Sequence, residues 1–343
     1  MKNKIKILIL ILTLFLAVSN IYASGGTRTG TAGAQELIIP VGARGIAMGT
    51  GNVADCYGIE ALYWNPAGAA TLEHSVDLLF SHMSYIANIG VEYGAVATNI
   101  EGFGVLSLSL KSLAVGDIPV TTTQTPDGTG ATFSPQFIVA GLTYSKLLTE
   151  RISIGATVNF VSETVDKVSA TGISFNAGVL YKDLADITGL NFGVVLSNLG
   201  PQMKYSGSGL LQLATVSGLN RPPTYNSLDA EPFDLPSSFQ LGLAYKPVID
   251  DINSLQFSGT FQNNNFSGDE YKVGAEYGYD NLVFLRGGYS MSPKSQNPDY
   301  IFGLTAGLGL KYSFQGVALK IDYAYQAVKY FGGNNIFSLQ LGF

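Results

Sequence analysis

The chain has 343 residues, is 46% hydrophobic and only 13% charged, and carries a formal net charge of −6 with two histidines and one cysteine. Charge this sparse lies far below the roughly one quarter usual in a soluble domain, and an acidic balance without a basic stripe excludes a nucleic-acid partner. The single Cys56 excludes an internal disulfide, so a fold maturing outside the cytoplasm must be held by closure of its sheet.

Taken in order, residues 1–23 read as a secretory signal. Lys2, Lys4 and Lys6 precede an apolar run over 7–18, and Ile21-Tyr22-Ala23 follows, with Ala23 as the cleavage residue. The run is shorter than the roughly 20 apolar residues of a membrane-spanning helix, and no later stretch approaches that length. No cysteine stands there to take a lipid anchor.

Residues 24–72 alternate in neither the helical nor the strand period. Their small residues, as in Gly42-Ala43-Arg44-Gly45-Ile46-Ala47-Met48-Gly49, suit a compact hatch of short helices and turns inside a barrel mouth. Gly49-Thr50-Gly51-Asn52-Val53-Ala54 superficially fits a dinucleotide fingerprint, but the βαβ setting that motif requires is missing. Its glycines read as close-packing positions. The hatch ends in Trp64-Asn65-Pro66-Ala67-Gly68, where Pro66 sets its own φ and pushes Asn65 away from helical geometry, and Gly68 is free to take a positive φ.

From 73 to 343 the period becomes two. Leu106, Leu108 and Leu110 alternate with Ser107, Ser109 and Lys111, and Ile152, Ile154, Ala156, Val158 and Phe160 alternate with Ser153, Gly155, Thr157 and Asn159. Similar runs, each about ten residues long as a tilted strand needs to cross a bilayer, bring the count to about fourteen. The 41 glycines, 19 Tyr and 19 Phe suit small inward residues and aromatic girdles. Connections after odd strands are long (114–134, 200–235, 292–299), whereas those after even strands are short (149–150, 279–281, 313–316). That sorting suits a barrel with long loops at one rim and short turns at the other. The fold class is therefore all-β: a transmembrane antiparallel β-barrel of about 14 strands with an N-terminal hatch, exposed to outer-membrane lipid. In the last run Phe337, Leu339, Leu341 and Phe343 share one face, and a final aromatic strand of this kind resembles the signal presented to the barrel-assembly machinery.

Chemistry is sparse. His74 and His82 lack partners at metal-ligand spacing and read as solvated or lumenal. No catalytic constellation, metal site or cofactor site can be assembled, so no enzyme is expected. Lys111, Glu163, Lys272, Glu276, Lys320 and Asp322 fall on the lumenal face, either as a selectivity lining or as mutually paired networks. The loop 200–235 carries Leu210, Leu211, Leu213, Tyr225 and Phe233 with few charges. It is either a lid folded on the barrel's own mouth or an apolar rim for a partner or ligand.

On Gly42 to Gly49 and Trp64-Asn65-Pro66-Ala67-Gly68, the chain resembles the PorV/PorQ family of outer-membrane proteins, itself related to the fatty-acid transporter FadL. The resemblance implies a fourteen-stranded barrel with a hatch and a non-enzymatic part in type IX secretion, with secreted cargo proteins and translocon subunits as partners. The alternative is a FadL-like transporter of hydrophobic small molecules. N-terminal sequencing of the protein recovered from outer membranes should begin at or near Ser24, and a sequence beginning at Met1 would refute the signal.

Overall fold

The computed structural model describes residues 30, 32–214 and 222–343. The signal 1–23 and part of the 200–235 loop, Leu219 included, lie outside these residues. In chain order the strands are β1 Val76–Ser84, β2 Gly90–Ile100, β3 Gly104–Ala114, β4 Ile118–Pro119, β5 Thr132–Phe133, β6 Gln136–Leu147, β7 Ile152–Val165, β8 Val168–Tyr181 and β9 Leu190–Leu199. They continue as β10 Leu211–Ala214, β11 Thr224–Ser227, β12 Ser238–Tyr245, β13 Asn253–Asn264, β14 Glu270–Tyr279, β15 Val283–Met291, β16 Phe302–Phe314, β17 Val317–Val328 and β18 Asn334–Gly342. Two short ribbons, β4 with β5 and β10 with β11, stand apart, and the other fourteen strands form one closed barrel.

Closure is made by β1 and β18, antiparallel in a register running from Asp77↔Gly342 to Ser84↔Asn335. The ladder extends to the final residue, because the Phe343 N–H donates to the Val76 carbonyl at 2.9 Å and the Ser75 N–H to the Phe343 carbonyl at 2.9 Å. No barrel edge is left, which is the condition for a sheet surrounded by lipid. The end where Val76 meets Phe343 is called lower below, and the opposite rim upper.

Alternation decides which side chains meet which solvent. In β18, Phe337, Leu339 and Phe343 face outward and are exposed, with Leu341 half-buried on the same face; Ile336 and Ser338 are buried inside. Phe80 at 54%, Leu304 at 67% and Phe337 at 55% are among the large apolar side chains exposed around the wall, far more than a water-soluble monomer displays. Exposed aromatics gather at both ends of this band: Tyr279, Tyr312 and Phe314 below, Tyr289, Tyr325 and Tyr330 above. Such girdles suit rings with an apolar body and a polar tip at a membrane boundary. The charges predicted for the lumen lie inside, whereas His82 and Glu92 form an exposed outward-facing pair near the upper rim at 2.6 Å.

Loop length sorts less cleanly than the sequence suggests. Asp166 and Lys167 turn tightly at the upper rim, while the lower connections 182–189 and 246–252 are longer than a minimal turn. The reason is strand length: β7 and β8, with 14 residues each, carry the wall itself up at that point. Their tops support the lid loop, through the Ser169↔Ser206 bridge.

Since all barrel strands find partners only when the sheet is closed, the folded protein should migrate differently before and after boiling in detergent gels. Identical mobility, with the protein recovered in the soluble fraction, would contradict the closed barrel.

Candidate functional site: a hatch between two chambers

Residues 32–72 sit inside the barrel as five short helical pieces: Gln35–Leu37, Ala43–Ala47, Gly58–Glu60, Ala61–Trp64 and Pro66–Thr71. Helices this short cannot hold themselves together, so the wall must hold them. The Trp64-to-Gly68 turn docks against β6, β7 and β8. Asn65 is extended at φ −152 and caps the following helix, its side chain accepting from the Ala67 N–H at 3.1 Å. Its Nδ2 donates to the Val53 carbonyl at 2.8 Å within the hatch and to the Val179 carbonyl at 3.2 Å in the wall. Ser145 of β6 donates to the Pro66 carbonyl at 2.6 Å. One buried amide thus ties two parts of the hatch to the barrel.

Gly68 differs from its sequence reading. It has no positive φ; instead a Cβ there would collide with the Cys56 carbonyl and come within 2.8 Å of the Ala61 Cβ. The same need for close approach explains the lumenal glycines of the wall. Gly155 lies against Pro66, Gly178 against Asn65, Gly193 and Gly242 against Val53, and Gly274 against Met48, none with room for a side chain. Gly49, in the apparent dinucleotide motif, has φ +69 and packs against the β14 and β15 backbone, so it cradles no phosphate.

Opposite this seam the hatch is fastened by charge. Arg44, on the short helix Ala43–Ala47, donates through Nε to Glu276 of β14 at 3.0 Å and through Nη1 to the Asp55 carbonyl at 3.1 Å. Arg286 of β15 bridges Glu276 and Asp322, both at 2.5 Å, and Lys320 of β17 reaches Glu60 of the hatch at 2.7 Å. Three cations therefore face four carboxylates, Asp55, Glu60, Glu276 and Asp322. Burial raises Asp55 from 3.8 to about 6, against the pull of Arg44. Burial also pushes Glu60 up, but Lys320 and Arg44 overcome it and hold that carboxyl below its ordinary range. Of the two sequence alternatives for the lumenal charges, the paired network describes Glu276, Lys320 and Asp322. Arg44 was not singled out from the sequence, although a lone arginine among Gly and Ala in a buried stretch was the available signal.

A cavity lies on each side. The upper one, of about 330 Å³, has a floor of hatch side chains including Leu37, Ile39, Leu62, Tyr63 and Trp64, and walls that include Tyr85, Tyr93 and Tyr300. Its cations are already engaged: Lys111 donates to the Ile39 carbonyl at 2.6 Å and lies 4.8 Å over the Tyr63 ring, while Lys272 holds Gln262 and Glu270. The lower cavity, of about 210 Å³, is charged, and Arg44, Glu60, Glu276, Arg286 and Lys320 line it. The two share no lining residue; the hatch separates an upper chamber with an apolar floor and a mixed aromatic and polar wall from an ionic lower one. His74 borders the lower chamber, 2.9 Å from Asp77.

The 200–235 loop has a buried base and an exposed ribbon. Its base is a lid: Met203 and Leu235 are buried with Ala34 and Leu37 of the hatch, and Phe233 packs against that cluster, 5.5 Å from the Tyr205 ring. Its tip, the β10–β11 ribbon, is exposed, with Leu211 at 45%, Leu213 at 60% and Tyr225 at 72%. Leu210, half-buried, stands at the junction.

No family model and no curated protein matches the chain, but solved structures do. It is similar to the CymD monoaromatic hydrocarbon channel, at 16% identity over 88% of this chain and 96% of that one, with a TM-score of 0.54. It is similar to the Pseudomonas putida toluene transporter TodX, at 14% identity over 87% and 96%, with a TM-score of 0.54. A Pseudomonas aeruginosa FadL homologue matches at 14% identity over 88% and 98%, with a TM-score of 0.53. The fold is that of the FadL-type barrels. The wider FadL-like resemblance read from the sequence stands, whereas the narrower PorV/PorQ assignment finds no support in these likenesses.

Breaking one partner out of a buried ion network costs about 3–5 kcal/mol, so Arg44→Met should free the hatch to proteolysis in barrels that still shift on heating. Asp55 is raised in the docked state, so its contribution to docking is full below 3.8 and is lost as pH rises through about 6. Asp55→Asn should remove that part of the loss, so that cleavage between Arg44 and Glu60 rises less from pH 5 to pH 7.5 than in the wild type.

Proposed function

We infer that the protein is a non-enzymatic outer-membrane transporter of hydrophobic small molecules that takes its substrate into the upper chamber. The observation carrying this reading is the 330 Å³ cavity floored by Leu37, Ile39, Leu62, Tyr63 and Trp64. That is a volume suited to one small ligand: the hatch gives it an aliphatic and aromatic floor, while the wall sets polar side chains such as Asn159, Gln240 and Gln262 beside Tyr85, Tyr93 and Tyr300. Solved barrels of the same fold include a monoaromatic hydrocarbon channel and a toluene transporter, which supports a substrate of low polarity. The charged lower chamber is unfavourable for such a molecule, so passage through the barrel needs the hatch to move.

Ile38 lines the chamber and is half-buried. Removing about half of a buried isoleucine's apolar contribution is worth roughly 1 kcal/mol. In detergent-purified barrels Ile38→Asn should therefore weaken binding of a neutral aromatic probe such as toluene several-fold, and slow its entry into proteoliposomes to match. Unchanged binding would remove the upper chamber from the path.

The exposed ribbon supports a second reading, a docking rim for secreted cargo or translocon subunits, because Leu211, Leu213 and Tyr225 leave much of their apolar surface exposed. Changing all three to Ser leaves barrel and lid contacts intact. On the transporter reading probe entry is unchanged by this variant. Loss of co-purifying cargo or translocon subunits, with no probe entry even in the wild type, would reverse the assignment in favour of secretion.

A further inference from the structure

We propose that Glu36, Lys111, Glu163 and Tyr205 form a one-proton latch that fastens the leading segment of the hatch and the lid loop together over the upper chamber, and that lets go when the proton leaves. The latch regulates the chamber to which the transport reading assigns the substrate and rests on that reading for its purpose, though not for its chemistry.

The four residues come from four elements. Glu36 lies in the first helical piece of the hatch, Lys111 on β3, Glu163 on β7 and Tyr205 in the lid. Glu36 and Glu163 are each 3% exposed. The Tyr205 hydroxyl donates to Glu163 Oε2, and the Glu36 carboxyl is hydrogen-bonded to Glu163 in turn. Lys111 is the cation of the group, and its Nζ also donates to the Ile39 carbonyl. β6 and β8 contribute Val139 and Ala170 to the apolar cluster beside this group, and the lid's Asp234 accepts from Gln202 at 2.9 Å.

Two buried carboxyl groups in contact cannot both ionise without a large mutual repulsion and desolvation cost. A single retained proton removes one of the two negative charges and supplies the donor that joins the two carboxyl groups. Glu36 is placed to keep it: burial, and then the charge of Glu163, raise its carboxyl from 4.5 to about 8. Glu36 Oε1 has no hydrogen-bond partner among the described residues, an arrangement that suits a neutral acid better than a carboxylate. In the released state Glu36 meets water and returns to its ordinary value. The latch is therefore tightest below 4.5, weakens steadily as pH rises, and has lost its proton-linked contribution above about 8.

What the latch holds is backbone. The Gly33 N–H donates to the Asp234 carbonyl at 3.1 Å, and Met203 and Phe233 exchange hydrogen bonds of 3.0 and 2.8 Å. Hydrogen exchange of these three amides, in ligand-free detergent-solubilised barrels, reads latch opening directly. After correction for the intrinsic pH dependence of exchange, protection should fall at least tenfold between pH 5 and pH 9, while the strand amides stay unchanged. Glu36→Gln should hold protection constant across that range, and Glu163→Gln, which leaves Glu36 buried but removes its neighbouring charge, should shrink the fall without abolishing it. Tyr205→Phe should lower protection of Met203 and Phe233 at every pH and leave the pH dependence at Gly33 in place. Equal protection of the wild type at both pH values, a pH-dependent fall that survives Glu36→Gln, or a fall that Glu163→Gln leaves undiminished, would overturn the latch. No ligand is present, so that failure would leave the transport reading untouched, and a failed binding assay would leave the latch standing.

Discussion

A barrel of fourteen strands encloses more space than its own side chains fill, and the rest of this structure depends on how that space is occupied. The occupant is polypeptide, and polypeptide brings backbone donors and acceptors that must all find partners away from water. Five helical fragments too short to satisfy themselves are inserted into the lumen, and the wall supplies what they lack. Ser338 accepts from the Ala43 N–H, Thr305 from the Gly49 N–H, and Ser145 donates to the Pro66 carbonyl. Inward serines and threonines, which look like filler between apolar residues in the sequence, complete the hydrogen bonding of the hatch.

Filling the lumen with backbone also sets how small the wall must be. Glycine is placed where the hatch presses closest, on β7, β8, β9, β12 and β14, because any Cβ there would hold the two layers apart. The resulting seam is dense on the Asn65 side and ionic on the Arg44 side. These two fastenings differ in consequence. Packing of small residues around Asn65 is insensitive to pH, whereas a network with one carboxylate more than it has cations responds to protonation of its most buried acid. The hatch is therefore clamped by shape on one side and by titratable charge on the other.

The lid follows the same logic at the upper rim. Its base buries Met203 and Leu235 in the cluster that holds the start of the hatch, so hatch and lid share a core and are not free to move independently. The ribbon beyond it contributes nothing to that core. The apolar residues of this one loop must therefore be assigned one by one: Phe233 packs inward, Leu213 and Tyr225 do not.

What the sequence determined by itself was everything that depends on a period of two. Alternation in runs such as Leu106 to Lys111 established strand after strand, and the aliphatic and aromatic face of 337–343 marked the side that meets lipid. The even count and the low charge together demanded a closed sheet. These features are local, because a strand's side chains leave on alternate sides whatever the strand pairs with. The turn at Asn65 and Pro66 was also legible, since proline restricts its own φ and its neighbour's. Only the tertiary structure decided the contacts between distant segments: that Gly68 is needed for closeness and not for a positive φ, that Arg44 meets Glu276 and Asp55, and that Glu36 meets Glu163 beneath Tyr205. Each joins residues far apart in the chain, and their meeting depends on how the hatch is turned inside the barrel. No periodicity encodes that rotation; it is set by which wall positions lack a side chain and which carry a charge, and those positions come together only when the sheet has closed.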